Sequence, residues 1–236
     1  MYETYEECVS ELKKHIDASY DGFNNPIVNS IYPTWGVRTP VIKKLVRSVP
    51  ISARDNVLNG FFADTERSYD TVLFAGALAA RKGEYAQTRE YLTRLVPLFG
   101  SWAHVDCVTP LLRWADRSAL WDDFRYLLDC DGEYEKRFYI MIMFSCCLCD
   151  GYVDKILETL RGSVSYGQYY VDMAAAWLLA ECLVKYYEMT LPLFKERTFP
   201  AFVHNKALQK ARESYRIDAA TKEYLNSLKV RAPKNR

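Results

Sequence analysis

Strand signals are scarce in this chain of 236 residues. There is no β-hairpin signature and little sustained alternation of apolar and polar residues, which argues against a sheet protein. Glycine and proline are few, at ten and nine residues, while half the chain is apolar and 14% is aromatic. That composition excludes a disordered polymer and leaves enough apolar mass for a core. No apolar run approaches the roughly 18 residues needed to cross a bilayer. The opening Met1-Tyr2-Glu3-Thr4-Tyr5-Glu6-Glu7 is acidic and lacks a signal-peptide core. Seven cysteines, an odd number without framework spacing, exclude a disulfide scaffold. A cytoplasmic protein is expected. P-loop and glycine-rich dinucleotide motifs are absent as well, and no cofactor is expected.

What the chain does have is helical periodicity, interrupted every 12 to 20 residues. The pattern predicts helices over 3–19, 40–48, 52–63, 68–81, 86–97, 101–114, 118–129, 135–149, 152–161, 167–186, 188–196, 204–215 and 219–229. Stop signals include Asn24-Asn25-Pro26, Pro33, Ser48-Val49-Pro50, Gly100, Asp131-Gly132, Asp150-Gly151 and Phe199-Pro200. Short helices joined by short turns make either a globular bundle or a stack of helix pairs. Pairs recur at roughly 33 residues, near 68, 101, 135 and 168, which favours the stack. The fold expectation is all-α, a superhelical stack of antiparallel pairs in one domain over 1–236, with a short basic tail at 230–236.

Four features carry candidate chemistry. Trp102 and Asp106 are four residues apart, on one face of a helix that follows Gly100. An aromatic slab beside a carboxylate suits a sugar or a developing cation. The same pattern is also a common way to start a helix. Arg137 lies at the edge of the stripe Met141, Phe144 and Leu148, in the first turn of its helix. There it is either neutralised by Glu133 and Glu135 or forms an anion site with free backbone N–H groups. Trp177 follows Ala174-Ala175-Ala176, which admits a close neighbouring helix, and is either core or the rim of a concave face. Cys146-Cys147-Leu148-Cys149 contains a C-x-x-C, but no second pair sits at ligand spacing. It reads as apolar helix, and no metal is expected.

Charge is unevenly divided. From Lys206 onward nine Lys/Arg face three acids, a surplus of six, so the formal net charge of +1 leaves residues 1–205 at −5. Such asymmetry suits an anionic partner, or a solvated helix face with a basic tail.

Trp102-x-x-x-Asp106, Tyr134-Glu135-Lys136-Arg137-Phe138, the segment from Tyr169 to Glu181 around Trp177, and His204-Asn205-Lys206-Ala207-Leu208-Gln209-Lys210-Ala211-Arg212-Glu213-Ser214 occur in this order. With Gly36-Val37-Arg38-Thr39-Pro40, they resemble the DNA alkylation repair enzymes built from HEAT-like helical repeats. The resemblance spans roughly residues 30 to 230. It implies a DNA glycosylase for purines alkylated at N3 or N7, acting on duplex DNA through a concave basic surface. Carried over, Trp102, Trp177 and Asp106 contact the lesion's deoxyribose, and Arg137 holds the backbone. Lys206, Lys210, Arg212 and Arg216 are further DNA-binding candidates, with 206 and 210 on one helix face and 212 and 216 on another. Neither a metal nor a membrane is implied, and a monomer is expected. Pro110, four residues after Asp106, predicts a kink or restart there. The alternative is a repeat scaffold that keeps the fold without the activity and binds DNA or protein.

Overall fold

A computed structural model describes residues 2–231. The predicted tail thus lies outside the described residues from 232 onward. Every regular element among the described residues is helical. The chain divides into two compact units, Met1–Asp123 and Phe124–Arg236.

The first unit contains α1 (Tyr5–Lys13), α2 (Ala18–Val28), α3 (Thr39–Ser48), α4 (Arg54–Ala63), α5 (Tyr69–Ala79), α6 (Tyr85–Leu95) and α7 (Trp102–Val108). Most of α8 (Arg117–Phe124) belongs to it too. Every residue of α5 is buried, because α3 and α7 pack on two sides of it and α4 and α6 on others. A helix apolar all round is stable only in such a position. Ser68 starts α5 with a capping box closed by Thr71.

The second unit contains α9 (Glu133–Ile142), α10 (Val153–Gly162), α11 (Tyr169–Lys185), α12 (Tyr187–Lys195), α13 (Ala201–Glu213) and α14 (Ala219–Ser227). Here α11 is the central element, packed on α9, α13, α12 and α10. Its alanines at 174, 175 and 176 are fully buried, which permits the close approach expected of them. The helices α5, α7, α9, α11 and α13 start at Tyr69, Trp102, Glu133, Tyr169 and Ala201, 31 to 36 residues apart. That is the period expected from the sequence.

Several boundaries differ from expectation: α2 has no counterpart among the expected helices, α8 ends at Phe124 rather than 129, and three further differences have a local cause. Asn24-Asn25-Pro26 does not stop a helix: α2 runs through Pro26 and ends at Asn29, which takes the left-handed conformation at φ 44°. Pro26 falls in the last turn of α2, only two residues before the helix closes, so the helix has little left to lose there. Next, α1 closes at Lys13 because Asp17 caps the following helix, accepting from the Tyr20 N–H at 2.9 Å. Finally, α9 does not continue as α-helix to 149 but widens into a π turn over Met143–Cys147. That turn leaves Cys146 and Cys149 half-buried and Cys147 buried.

Candidate functional site

In the first unit the site is built on α7. Ser101 caps it, accepting from the Ala103 N–H at 3.1 Å and donating to the Val28 carbonyl at 2.6 Å. Ala103, His104, Val105 and Val108 face inward, which leaves Trp102 and Asp106 half-exposed one turn apart. The Trp102 indole is not loose: its N–H donates to the Ile27 carbonyl at 3.0 Å, near the end of α2. His104 is the anchor. Its Nε2 donates to the Tyr69 carbonyl at 3.0 Å, and its Nδ1 accepts from the Gly100 N–H at 3.2 Å. The ring stacks on Tyr69 at 4.6 Å. Burial pushes the imidazole down to about 4, so it is neutral at physiological pH, as that bonding pattern requires.

Pro110 shapes the other end of α7. Lacking an N–H for the Asp106 carbonyl, it ends the α-helix at Val108, and Thr109–Leu112 tighten into a 3-10 turn. The carboxylate therefore sits in a short, capped segment rather than in the middle of the predicted helix 101–114.

Residues 31–37 brace this segment. The Tyr32 hydroxyl donates to the Leu98 carbonyl at 2.8 Å, and the Ile31 N–H to the Gly100 carbonyl at 3.0 Å. Asp70, itself 1% exposed, accepts from the Trp35 N–H at 2.7 Å and the Val37 N–H at 2.9 Å. Its carboxyl is raised from the ordinary value by burial, which the two amides only partly offset. Between them Gly36 has φ +72°, and a Cβ there would lie 2.4 Å from the Asp17 carbonyl oxygen. Sequence reasoning missed Asp70. Its signal was an acid in the first turn of an otherwise apolar helix.

In the second unit the first two turns of α9 grip the start of α11. Glu133 accepts from the Tyr170 N–H, Arg137 donates to the Tyr170 carbonyl at 2.7 Å, and Lys136 donates to the Gln168 side chain at 2.9 Å. The expectation of an Arg137 open to phosphate needs correction, because the residue is 1% exposed. Its guanidinium lies 5.7 Å from the centre of the Trp177 ring, within cation–π range. As placed, it supports the indole and holds α11.

Trp177 is not in the buried stripe of α11. Tyr170, Met173, Trp177, Glu181 and Val184 are all half-exposed and form one face of the helix. Phe144, Trp177, Ala180, Glu181, Val184, Lys210 and Ser214 line a cleft of about 160 Å³. Phe144 reaches it from the π turn. The Trp177 N–H is buried without a hydrogen-bond partner, so ring contacts hold the side chain in place.

The basic candidates separate in an unexpected way. Lys210 lines the cleft and pairs with Glu213 at 2.9 Å, while Lys206 approaches Gln209 at 3.5 Å. Arg212 is half-buried near the end of α13. Arg216 is not on that helix, because Glu213 ends it. The chain turns back and Arg216 grips Glu181 of α11 through both guanidinium nitrogens, at 3.0 and 2.6 Å. So 206 and 210 do not oppose 216 across one helix: Arg216 returns to a residue that lines the same cleft as Lys210. His204 and Asn205 have structural work. His204 Nε2 donates to the Leu228 carbonyl at 3.0 Å, and the Asn205 amide exchanges two bonds with Val230.

A larger cavity, about 560 Å³, lies elsewhere in the first unit and is lined by Tyr5, Glu6, Val9, Ser10, Lys13, Gly60, Ala63 and Asp64. None of the candidate residues borders it. No group of His, Cys, Asp and Glu among the described residues is placed to hold a metal ion, and no helix there is long and apolar enough to cross a membrane. No family model, no curated protein and no solved structure matches this chain.

Proposed function

We propose that this chain is a DNA glycosylase that excises cationic purines, alkylated at N3 or N7, from duplex DNA. The observation that carries the reading is the construction of α7, with an indole and a carboxylate half-exposed on a turn whose other face is locked by a neutral buried histidine. A fixed carboxylate beside an aromatic face is what a positive deoxyribose needs. The alkylated base is already cationic, so it departs neutral, taking the electron pair of the C1′–N bond. Positive charge then grows on the sugar. Asp106 opposes that charge and accepts the proton of the water that adds to C1′. Trp102 offers a ring face to the sugar; on the second unit Trp177 is a further aromatic candidate, and Lys206, Lys210, Arg212 and Arg216 offer phosphate contacts. Such a leaving group needs no cofactor.

The test is release of 7-methylguanine from alkylated duplex DNA, wild type beside Asp106→Asn. The asparagine keeps shape and hydrogen bonding but loses the charge, so the rate should fall about 10-fold to 1000-fold while duplex affinity holds. Burial of Arg137 favours a second reading, a helical scaffold that binds DNA or protein without chemistry. Wild-type protein that binds alkylated duplex and releases no base would select it.

A further inference from the structure

Arg216 and Glu181 form a two-toothed pair, with Lys185 as a third partner at 3.2 Å from the same carboxylate. Burial pushes the Glu181 carboxyl up, but the bonds from Arg216 and Lys185 outweigh it and hold the group below its ordinary value. Both cations remain accessible: the Arg216 side chain is 55% exposed and that of Lys185 is 44% exposed. The fork of a guanidinium fits two oxygens of a phosphate as well as two of a carboxylate. Around this rim Lys185, Lys210 and Arg216 face Glu181 and Glu213, which nearly cancels their charge.

We propose that Glu181 is a stand-in for a DNA phosphodiester, and that Arg216 with Lys185 is a phosphate-binding site at the rim of the Trp177 cleft. The inference rests on the reading of this chain as a duplex-binding protein. In the free protein the carboxylate keeps the two cations in position, and the DNA backbone takes its place on binding. The site then contributes to affinity only after an internal ion pair has been broken. This masks part of the basic surface that the charge asymmetry leads one to expect.

A purely structural strap from α11 to the segment after α13 makes a different forecast. Removing it would loosen the fold and bring no gain in binding. The experiment measures fluorescence anisotropy of a short undamaged duplex across a salt series, with wild type, Glu181→Gln, Arg216→Gln and the double variant. Glu181→Gln should bind about fivefold tighter, the scale of one exposed ion pair. Its dependence of log K on log salt should steepen by about 0.9, one further phosphate neutralised. Arg216→Gln should weaken binding and flatten the slope by a similar amount. In that background the gain from Glu181→Gln should shrink by at least half. Wild type that binds while Glu181→Gln binds no tighter overturns this inference alone, as does a gain that persists undiminished without Arg216. If neither protein binds duplex at low salt, the glycosylase reading falls and this site falls with it.

Discussion

Acid should unlock α7 through His104. The imidazole is fully buried and lowered to about 4, against an ordinary value of 6.5. Between those values the unfolded chain binds a proton that the folded chain refuses, so folding stability rises with pH across that window. The contribution is complete above pH 6.5 and is lost as pH falls toward 4. Lowering the pH from 7 to 4.5 should therefore remove roughly 2 kcal/mol through this residue alone. The geometry gives the cause: a proton on Nδ1 would meet the Gly100 N–H, donor against donor, at the entrance to the helix that carries Trp102 and Asp106. Urea denaturation of wild type and His104→Gln at several pH values measures the effect, since glutamine is uncharged throughout. His204 is also lowered, by burial first, and adds a slope of the same sign that the variant leaves in place. The wild-type curve should consequently be the steeper of the two. Parallel curves between pH 7 and 4.5 would refute the reasoning.

Three more tests follow from the packing. Asp70→Ala orphans the buried Val37 amide and the part-buried Trp35 amide and should cost about 1–5 kcal/mol in urea denaturation, an unsatisfied donor costing roughly 1–3 when buried and less when partly open. A loss under 1 kcal/mol would mean the segment relaxes to water. Gly36→Ala should destabilise by at least about 1 kcal/mol, since both the positive φ and the Asp17 carbonyl oppose a side chain. A variant as stable as wild type would contradict that geometry. Trp177→Phe keeps a ring and removes a buried N–H that has no acceptor, so its melting temperature should hold while excision slows; a large drop in melting temperature would return Trp177 to the core.

Much of the fold is legible in the sequence because it rests on periodic apolar faces. The alternating burial of α13, with Val203, His204, Ala207, Leu208 and Ala211 inward, is written in its spacing. The all-buried α5 and the small-residue run in α11 are equally plain. What fails to show is local competition between a breaker and its surroundings. Pro26 reads as a stop, yet it sits inside the last turn of α2, which closes two residues later at Val28. Asp17 reads as the interior of the first helix, yet its side chain caps the second. At the candidate site, the one-turn spacing of Trp102 and Asp106 follows from numbering. The burial of Arg137 does not. The sequence places Arg137 only at the edge of a buried stripe; what buries it is a carbonyl that α11 supplies from 33 residues away.

The two units use one device to present their candidate residues. In each, a buried nitrogen-bearing side chain donates to a backbone carbonyl of a neighbouring helix: His104 to Tyr69 and Arg137 to Tyr170. Each also touches aromatic groups, Tyr69 in one case and Trp177 in the other. A buried donor that loses its acceptor costs more than the bond it made, so these positions resist displacement more than their neighbours do. The consequence for mutagenesis is specific. Loss of activity in a variant of His104 or Arg137 reports misplacement of a helix, whereas Asp106 is half-exposed and can lose its charge while its helix stays capped. An excision defect in Asp106→Asn with an unchanged melting temperature therefore speaks to chemistry, and the same defect in Arg137→Met speaks to where Trp177 stands.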